Sequence, residues 1–317
     1  MGSTFSVGVE VIGDGLADDG GKAAAVGRLA ARLEDAGVSY WVIGAGRGEV
    51  NEVASVSLEP SLLATIAARH STRLGLVIAA APHRDHPYNL ARRLVSADHA
   101  ARGRVGWLAL DFDHSIALNA ATDTWTGTDL DADHTADAIA AVRALWRTWP
   151  LDSVVGDLDS GVFADVTRIR RANVRNRYQI TGPLNVPGSV QGDLPVWRQA
   201  GPDADGGGAD LLIVEDGDPI PTGVGVVIRL RSPDRVEAVL TGSSEWPPVA
   251  GILLRLAPAE LDHVLQQVLP AAREKGLPGD PAAGTLRERL GLALPERPDL
   301  SGNPTVFDTV PNPGGRL

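Results

Sequence analysis

Residues 83–107, HRDHPYNLARRLVSADHAARGRVGW, hold the densest set of groups able to do chemistry in this 317-residue chain. His83 and His86 stand three apart, and Pro87, Tyr88 and Asn89 follow at once. Two imidazoles at that spacing can share a metal on a helix face. Pro87, however, biases His86 away from the α region, and a site needs at least a third ligand. Asp85, His99 and Asp111 are the nearby candidates for it, and no metal is expected. Free of metal, an imidazole gives or takes a proton near neutral pH, so His83 and His86 are the candidate catalytic residues. A plainer reading makes His86 the N-cap of a helix and Tyr88 a packing residue.

Other motifs carry less. GAGRGE (44–49) lacks the full G-x-G-x-x-G spacing and opens no helix, and GGG (206–208) has no helix behind it to lend a dipole to a phosphate. No G-x-S-x-G elbow is present, and the serines of TGSSE (241–245) have no obvious partner. The pairs Asp111/Asp113 and Asp131/Asp133 have the right chemistry for acid–base work, but paired aspartates in polar loops are usually solvated. With no cysteine there is no disulfide, thiolate nucleophile or zinc ribbon. A net charge of -11 opposes nucleic acid or an anionic membrane as partner. No apolar run approaches the ~18–20 residues that span a bilayer. The start, MGSTFSVGVEVIGDG, has no basic n-region; its formal fit to a myristoylation pattern is discounted. Lys22 and Lys275 are the only lysines, and the arginine- and alanine-rich composition points to a GC-rich bacterial genome. A soluble cytoplasmic protein is expected.

The elements that must position these residues alternate between apolar and amphipathic runs. Strands are expected at 5–13, 39–45, 72–81, 104–111, 194–201, 209–216, 223–231 and 249–257. Helices are expected at 22–37, 57–71, 87–103, 134–149 and 257–276, with two or three turns more within 232–242. Pro270 should kink or split the helix it lies in. PDADGGG (202–208) and EDGDPIPTG (215–223) read as too rich in Gly or Pro for helices. Eight strands in β–α order predict an α/β fold, a (β/α)8 barrel with shortened or missing helices in its second half; a doubly wound sheet is the rival. Residues 1–292 would form this single domain with an excursion at about 151–193, and 293–317 a Pro/Gly-rich tail. In a barrel the 83–89 segment follows the third strand and so lies at the C-terminal mouth, where ligands bind.

Five stretches, in order along the chain, carry a resemblance: HPYNLARRLVSADHAARGRVGW (86–107), ALWRTW (144–149), YQITGPLNVPGSVQG (178–192), PVWRQAG (195–201) and TLRERLGL (285–292). Together they resemble the luciferase-like flavin-dependent monooxygenases, in the group of the nitrilotriacetate, pristinamycin and dibenzothiophene sulfone enzymes. The resemblance implies a (β/α)8 barrel that binds reduced FMN at its mouth. It also implies a separate flavin reductase, O₂ as oxidant, a small organic substrate and a homodimer. By the same token Ala80, Ala81, Tyr88, Leu108, Gln199, Ala200 and Gly201 match pocket segments and become the candidate cofactor-binding residues.

The departures from the family pattern are specific. Leu108, in GWLALD, stands where relatives carry an amide, and Ala79, Ala80 and Ala81 replace hydroxyl residues. HSIALNAATDTWTG stands in place of an Ala-Arg-Asn-Phe-Gly-like segment, and Ala132 stands near a tyrosine position. The loop after QAG puts Asp203 and Asp205 where relatives receive the flavin phosphate. Two expectations follow: an FMN-dependent monooxygenase with a remodelled flavin site (a deazaflavin is the alternative cofactor), or a non-catalytic paralogue acting as a binding partner of a true monooxygenase.

Overall fold

The computed structural model describes residues 5–15, 22–49, 58–115, 122–201, 206–242, 249–277, 283–296 and 299–306. Within them, each expected apolar run forms a strand: β1 (Ser6–Val11), β2 (Tyr40–Ile43), β3 (Gly75–Ala80), β4 (Val105–Ala109), β5 (Val196–Gln199), β6 (Leu211–Glu215), β7 (Gly225–Leu230) and β8 (Gly251–Leu256). All neighbours pair in parallel, and β8 returns to β1 with Ser6 opposite Gly251 and Val11 opposite Leu256, closing the barrel. The open doubly wound sheet is thereby excluded.

Four helices cover the first half: α1 (Lys22–Asp35), α2 (Pro60–Arg69), α3 (Pro87–Ala100) and α4 (Ala132–Trp146). The second half is thinner, as expected. Among the described residues, only the 3-10 turn Gly206–Gly208 separates β5 from β6, and no helix separates β6 from β7. A ten-residue α5 (Pro233–Gly242) follows β7. After β8 the chain runs through α6 (Leu261–His263), a π turn (Val264–Val268) and α7 (Leu269–Glu274). The wide turn sits just ahead of Pro270, whose ring would clash with the carbonyl four residues back and which has no N–H to give it. The helix is thus interrupted where the proline predicts.

Strand alternation sends one set of side chains inward. Tyr40, Val42, Val77, Leu108, Trp197 and Leu253 belong to the interior cluster, while Val9, Trp41, Ile78 and Trp107 pack outward under the helices. Two glycines make the lower layer fit. A Cβ at Gly8 would collide with the Tyr40 ring, and one at Gly106 with the Trp197 ring. These two rings lie 5.2 Å apart across the floor.

Several polar side chains of the 86–107, 178–192 and 285–292 stretches meet at this lower, N-terminal face. Fully buried Asp98 accepts from Val105 N (3.0 Å), Gln191 Nε2 (2.8 Å) and Ser189 Oγ (2.6 Å). Gln191 Oε1 in turn accepts from Arg287 N, on α8 (Leu286–Arg289), and Arg287 donates to Asp210 and to the carbonyls of Asp193 and Leu194. Arg143 of α4 and Arg147 of the 144–149 stretch close the network on Asp193. Leu286 plugs the barrel floor above them. In such barrels this face governs stability and the other chemistry.

Candidate active site

The opposite mouth is built from the ends of the strands. Past Ala80 and Ala81, the short turn Pro82–Arg84 lifts His83 over the β3–β4 edge. Its Nε2 accepts from Asp113 N (3.4 Å), and its ring stacks on Phe112 with centroids 5.0 Å apart. Since Nε2 is an acceptor, the neutral ring carries its proton on Nδ1. That Nδ1 is buried and has no hydrogen-bond partner among the described residues. Burial lowers the His83 pKa to about 4, despite the carboxylate of Asp113 pulling the other way. His83 is therefore neutral at physiological pH, which removes it as an imidazolium acid and leaves a buried N–H donor.

His86 is the N-cap of α3, as the plainer reading had it: its Nδ1 accepts from Tyr88 N at 3.2 Å. The remaining proton then sits on Nε2. The ring stands edge-on to Trp125 (5.4 Å) and Tyr178 (6.2 Å). Burial lowers its pKa, and the charges of Asp123 and Asp85 partly offset this. With one nitrogen of His86 committed to the cap and His83 stacked on Phe112, the two histidines serve different ends. Among the described residues no group of three His, Cys, Asp or Glu side chains is arranged to hold a metal.

Tyr178 leads to residues that sequence reasoning passed over. α4 begins two residues before its expected start because Asp131 caps it, accepting from His134 N at 2.7 Å. This sets His134, fully buried, in the first turn. Its Nε2 lies 2.8 Å from the Tyr178 hydroxyl and 3.3 Å from Asp123 Oδ2, and Thr126 also donates to Asp123 Oδ2. Asp123, His134 and Tyr178 thus form one buried chain. Asp123 Oδ1, His134 Nδ1 and Thr135 Oγ1 remain buried without partners among the described residues. Burial pushes the Tyr178 phenol up, and the negative fields of Asp123 and Asp137 push it further. No local motif marks the triad, because its members come from a loop, a helix and the turn of a distant two-stranded ribbon, Val174–Arg175 paired with Gln179–Ile180.

The other candidates fall on the same end but at different depths. Ala80 and Ala81 are buried at the rim, and Leu108 lies in the inner wall, paired with Ala79 and Trp197. Tyr88 is half-buried against the outer core. Gln199 and Gly201 are exposed, while Ala200 donates its N–H to Ile213 O. Asp203 and Asp205 lie outside the described residues. Beside Gln199 stands Arg198, 6% exposed, which donates to Asp111 Oδ1 (3.1 and 2.8 Å) and to Ala132 O at the start of α4. Gly207, with a positive φ, lies so close to this guanidinium that a Cβ there would strike it. Asp111 and Asp113 therefore part ways: half-exposed Asp111 answers Arg198, and buried Asp113 answers Arg47 and Arg84.

The rest of the mouth is charged. Glu10 of β1 lies directly opposite Arg255 of β8, and Arg229 of β7 opposite Glu215 of β6. Glu10 bonds Arg255 Nη1 at 2.8 Å and lies 3.3 Å from Arg229 Nε; all three side chains are almost wholly buried. Glu215, Arg231 and Glu49 extend this network toward solvent. The signal was present in VEV, IRLR and LRL, where a charge recurs at the inward position of an apolar strand.

A sequence profile described as luciferase-like monooxygenase matches residues 8–204. The chain belongs to that family. It is 32% identical over 244 residues to the B component of pristinamycin IIA synthase from Streptomyces pristinaespiralis, covering 75% of this chain and 79% of that one. Against the dibenzothiophene-sulfone monooxygenase of Rhodococcus erythropolis it is 34% identical over 151 residues, 46% of this chain and 33% of the other. The chain thus spans most of the first relative's length but only a third of the second's. Long-chain alkane monooxygenase shares the fold, with a TM-score of 0.70 at 15% identity over 92% of this chain and 96% of that one. The family expected from the sequence, and its barrel, both stand.

Proposed function

We propose that this luciferase-like enzyme is an FMN-dependent monooxygenase, taking reduced FMN from a separate reductase and oxidising a small organic substrate with O₂. The observation that carries the reading is the Nδ1–H of His83 at the mouth, buried with no partner among the described residues and set beside the Asp123–His134–Tyr178 chain. Buried polar groups without partners cost stability, and such groups gathered at the ligand-binding end of a barrel mark a site. A passive, non-catalytic paralogue would have no use for them.

The residues present fit the cofactor in two respects. The alanines at 79–81 leave the β3 wall free of bulk for a planar ring, with Gln199 and Gly201 exposed on the β5 side. The Arg198 corner, next to the start of α4 and the glycine turn, offers a guanidinium and a helix N-terminus to a phosphate. Asp111 now holds that guanidinium and is itself about half exposed, so it can swing aside. Bound reduced FMN would supply the electrons by which one atom of O₂ enters the substrate. His83 would donate its Nδ1 proton in a hydrogen bond to the ring or to the substrate. Tyr178 and Asp123 would hold His134 in one orientation. Trp125 and His86 would shield the space from water.

On this reading residues 1–292 would be the catalytic barrel domain with its excursion at about 151–193, and 293–317 its Pro/Gly-rich C-terminal tail. The protein would work as a homodimer in a bacterial cytoplasm. Titration with FMN and with reduced FMN, followed by flavin fluorescence or calorimetry, tests it. Saturable binding at about micromolar concentration or tighter is expected, weakened about 10–100-fold by Arg198→Met, the loss of one charge-assisted bond. No saturable signal at about millimolar flavin would remove the reading.

A further inference from the structure

The charged half of the mouth holds more than a structural plug requires. Three guanidiniums, Arg229, Arg231 and Arg255, converge on one carboxylate oxygen, Glu49 Oε1, at 3.2, 3.0 and 4.0 Å. Glu49 does not belong to the barrel wall. It follows the turn Ala45–Gly48 after β2 and reaches across the mouth to the ends of β7 and β8. The other two carboxylates come from the wall itself, Glu10 of β1 and Glu215 of β6. With all six side chains in place the charges cancel, three against three. If Glu49 turns out to solvent, one positive charge is left over among these described side chains, whose deepest cations, Arg229 and Arg255, are 3% and 6% exposed. Glu49 sits on a turn outside the wall strands and its side chain is 27% exposed, so it can make that turn.

We propose that these three arginines form a carboxylate-binding site for the substrate, occupied by Glu49 as an internal stand-in when no substrate is bound. An arginine fork matches the two oxygens of a carboxylate, and the burial of Arg229 and Arg255 strengthens the contact. The site lies over β7 and β8, across the mouth from His83 and Arg198 over β3 to β5. A molecule held here by an acid group would extend its remaining carbons toward the histidines. Burial pushes the Glu49 carboxyl up, but the Arg231 hydrogen bond and the fields of Arg231, Arg229 and Arg255 outweigh it and hold the group low, as they would an incoming acid. The substrate class is therefore an organic carboxylate, and the assignment as substrate rests on the monooxygenase reading. The anion site itself does not.

Calorimetric titration of the full chain with succinate, and with neutral succinamide as control, tests the site without flavin. Succinate should bind saturably and succinamide should not. Glu49→Gln, close to isosteric, should tighten succinate about tenfold, the factor expected when an internal competitor holding the site about nine-tenths of the time is removed. Arg231→Gln, at the exposed rim, should cancel that gain. Equal succinate affinity in the parent, Glu49→Gln and Glu49→Gln/Arg231→Gln proteins would overturn the proposal, as would no saturable binding to Glu49→Gln. Run beside the FMN titration, the results separate. Succinate binding without FMN binding keeps the anion site and defeats the monooxygenase reading; FMN binding without succinate binding does the reverse.

Discussion

Glu10 offers the sharpest test of how the barrel tolerates charge in its interior. Glu10→Gln keeps the volume and removes one negative charge between Arg229 and Arg255, which are 3% and 6% exposed. The two ion pairs it breaks are 3.3 and 2.8 Å long. At an effective dielectric near 20, a unit charge pair about 4 Å apart interacts by about 4 kcal/mol, and breaking one partner of a buried pair typically costs about 3–5 kcal/mol. Part of that cost is already present in the parent, because Glu10 Oε2 is buried without a hydrogen-bond partner among the described residues. A destabilisation of about 3–4 kcal/mol is therefore expected. Urea unfolding followed by tryptophan emission reads it well, since Trp41, Trp107, Trp146 and Trp197 are fully buried. A second variant isolates the cause. Glu10→Gln with Arg255→Met removes both partners and should recover a good part of the stability. A single variant within about 1 kcal/mol of the parent, or a double variant as unstable as the sum of its singles, would show that the network does not work as an ion-pair unit.

Two further outcomes follow from the site and from the floor. The His83 pKa, lowered from 6.5 to about 4, means that the unfolded chain binds a proton there which the folded one refuses, so this contribution to stability is present above pH 6.5 and is lost as pH falls toward 4. His83→Gln should flatten the acid limb of the stability–pH curve in that window, and an unchanged limb would contradict the burial argument. Asp98→Ala strands Val105 N, Ser189 Oγ and Gln191 Nε2 at the barrel floor and should cost about 3–5 kcal/mol in urea unfolding, while flavin affinity of the folded protein stays within about twofold.

The sequence alone determined the alternation of strands and helices. Eight apolar runs separated by amphipathic or Gly/Pro-rich stretches require a parallel sheet covered on both faces, which a barrel and a doubly wound sheet both satisfy; the family resemblance favoured the barrel, and the pairing of β8 with β1 decided it. Pro270 located the helix break, and PDADGGG and EDGDPIPTG located connections that have no full helix among the described residues, because proline and glycine act on the backbone locally. The family was legible in stretches such as GRVGW and RERLGL, although the structure puts several of their polar interactions at the stability face, far from the mouth. Only the tertiary structure decided the site. Asp123, His134 and Tyr178 come together through a loop, a helix start and a ribbon separated from His134 by 44 positions along the chain, and no local spacing encodes that approach. Glu49 reaches Arg229 and Arg231 across 180 and 182 positions for the same reason. Local sequence sets dihedral preferences and which face is apolar, whereas the partner of a buried charge is fixed by strand register and barrel closure, which pair residues at opposite ends of the chain.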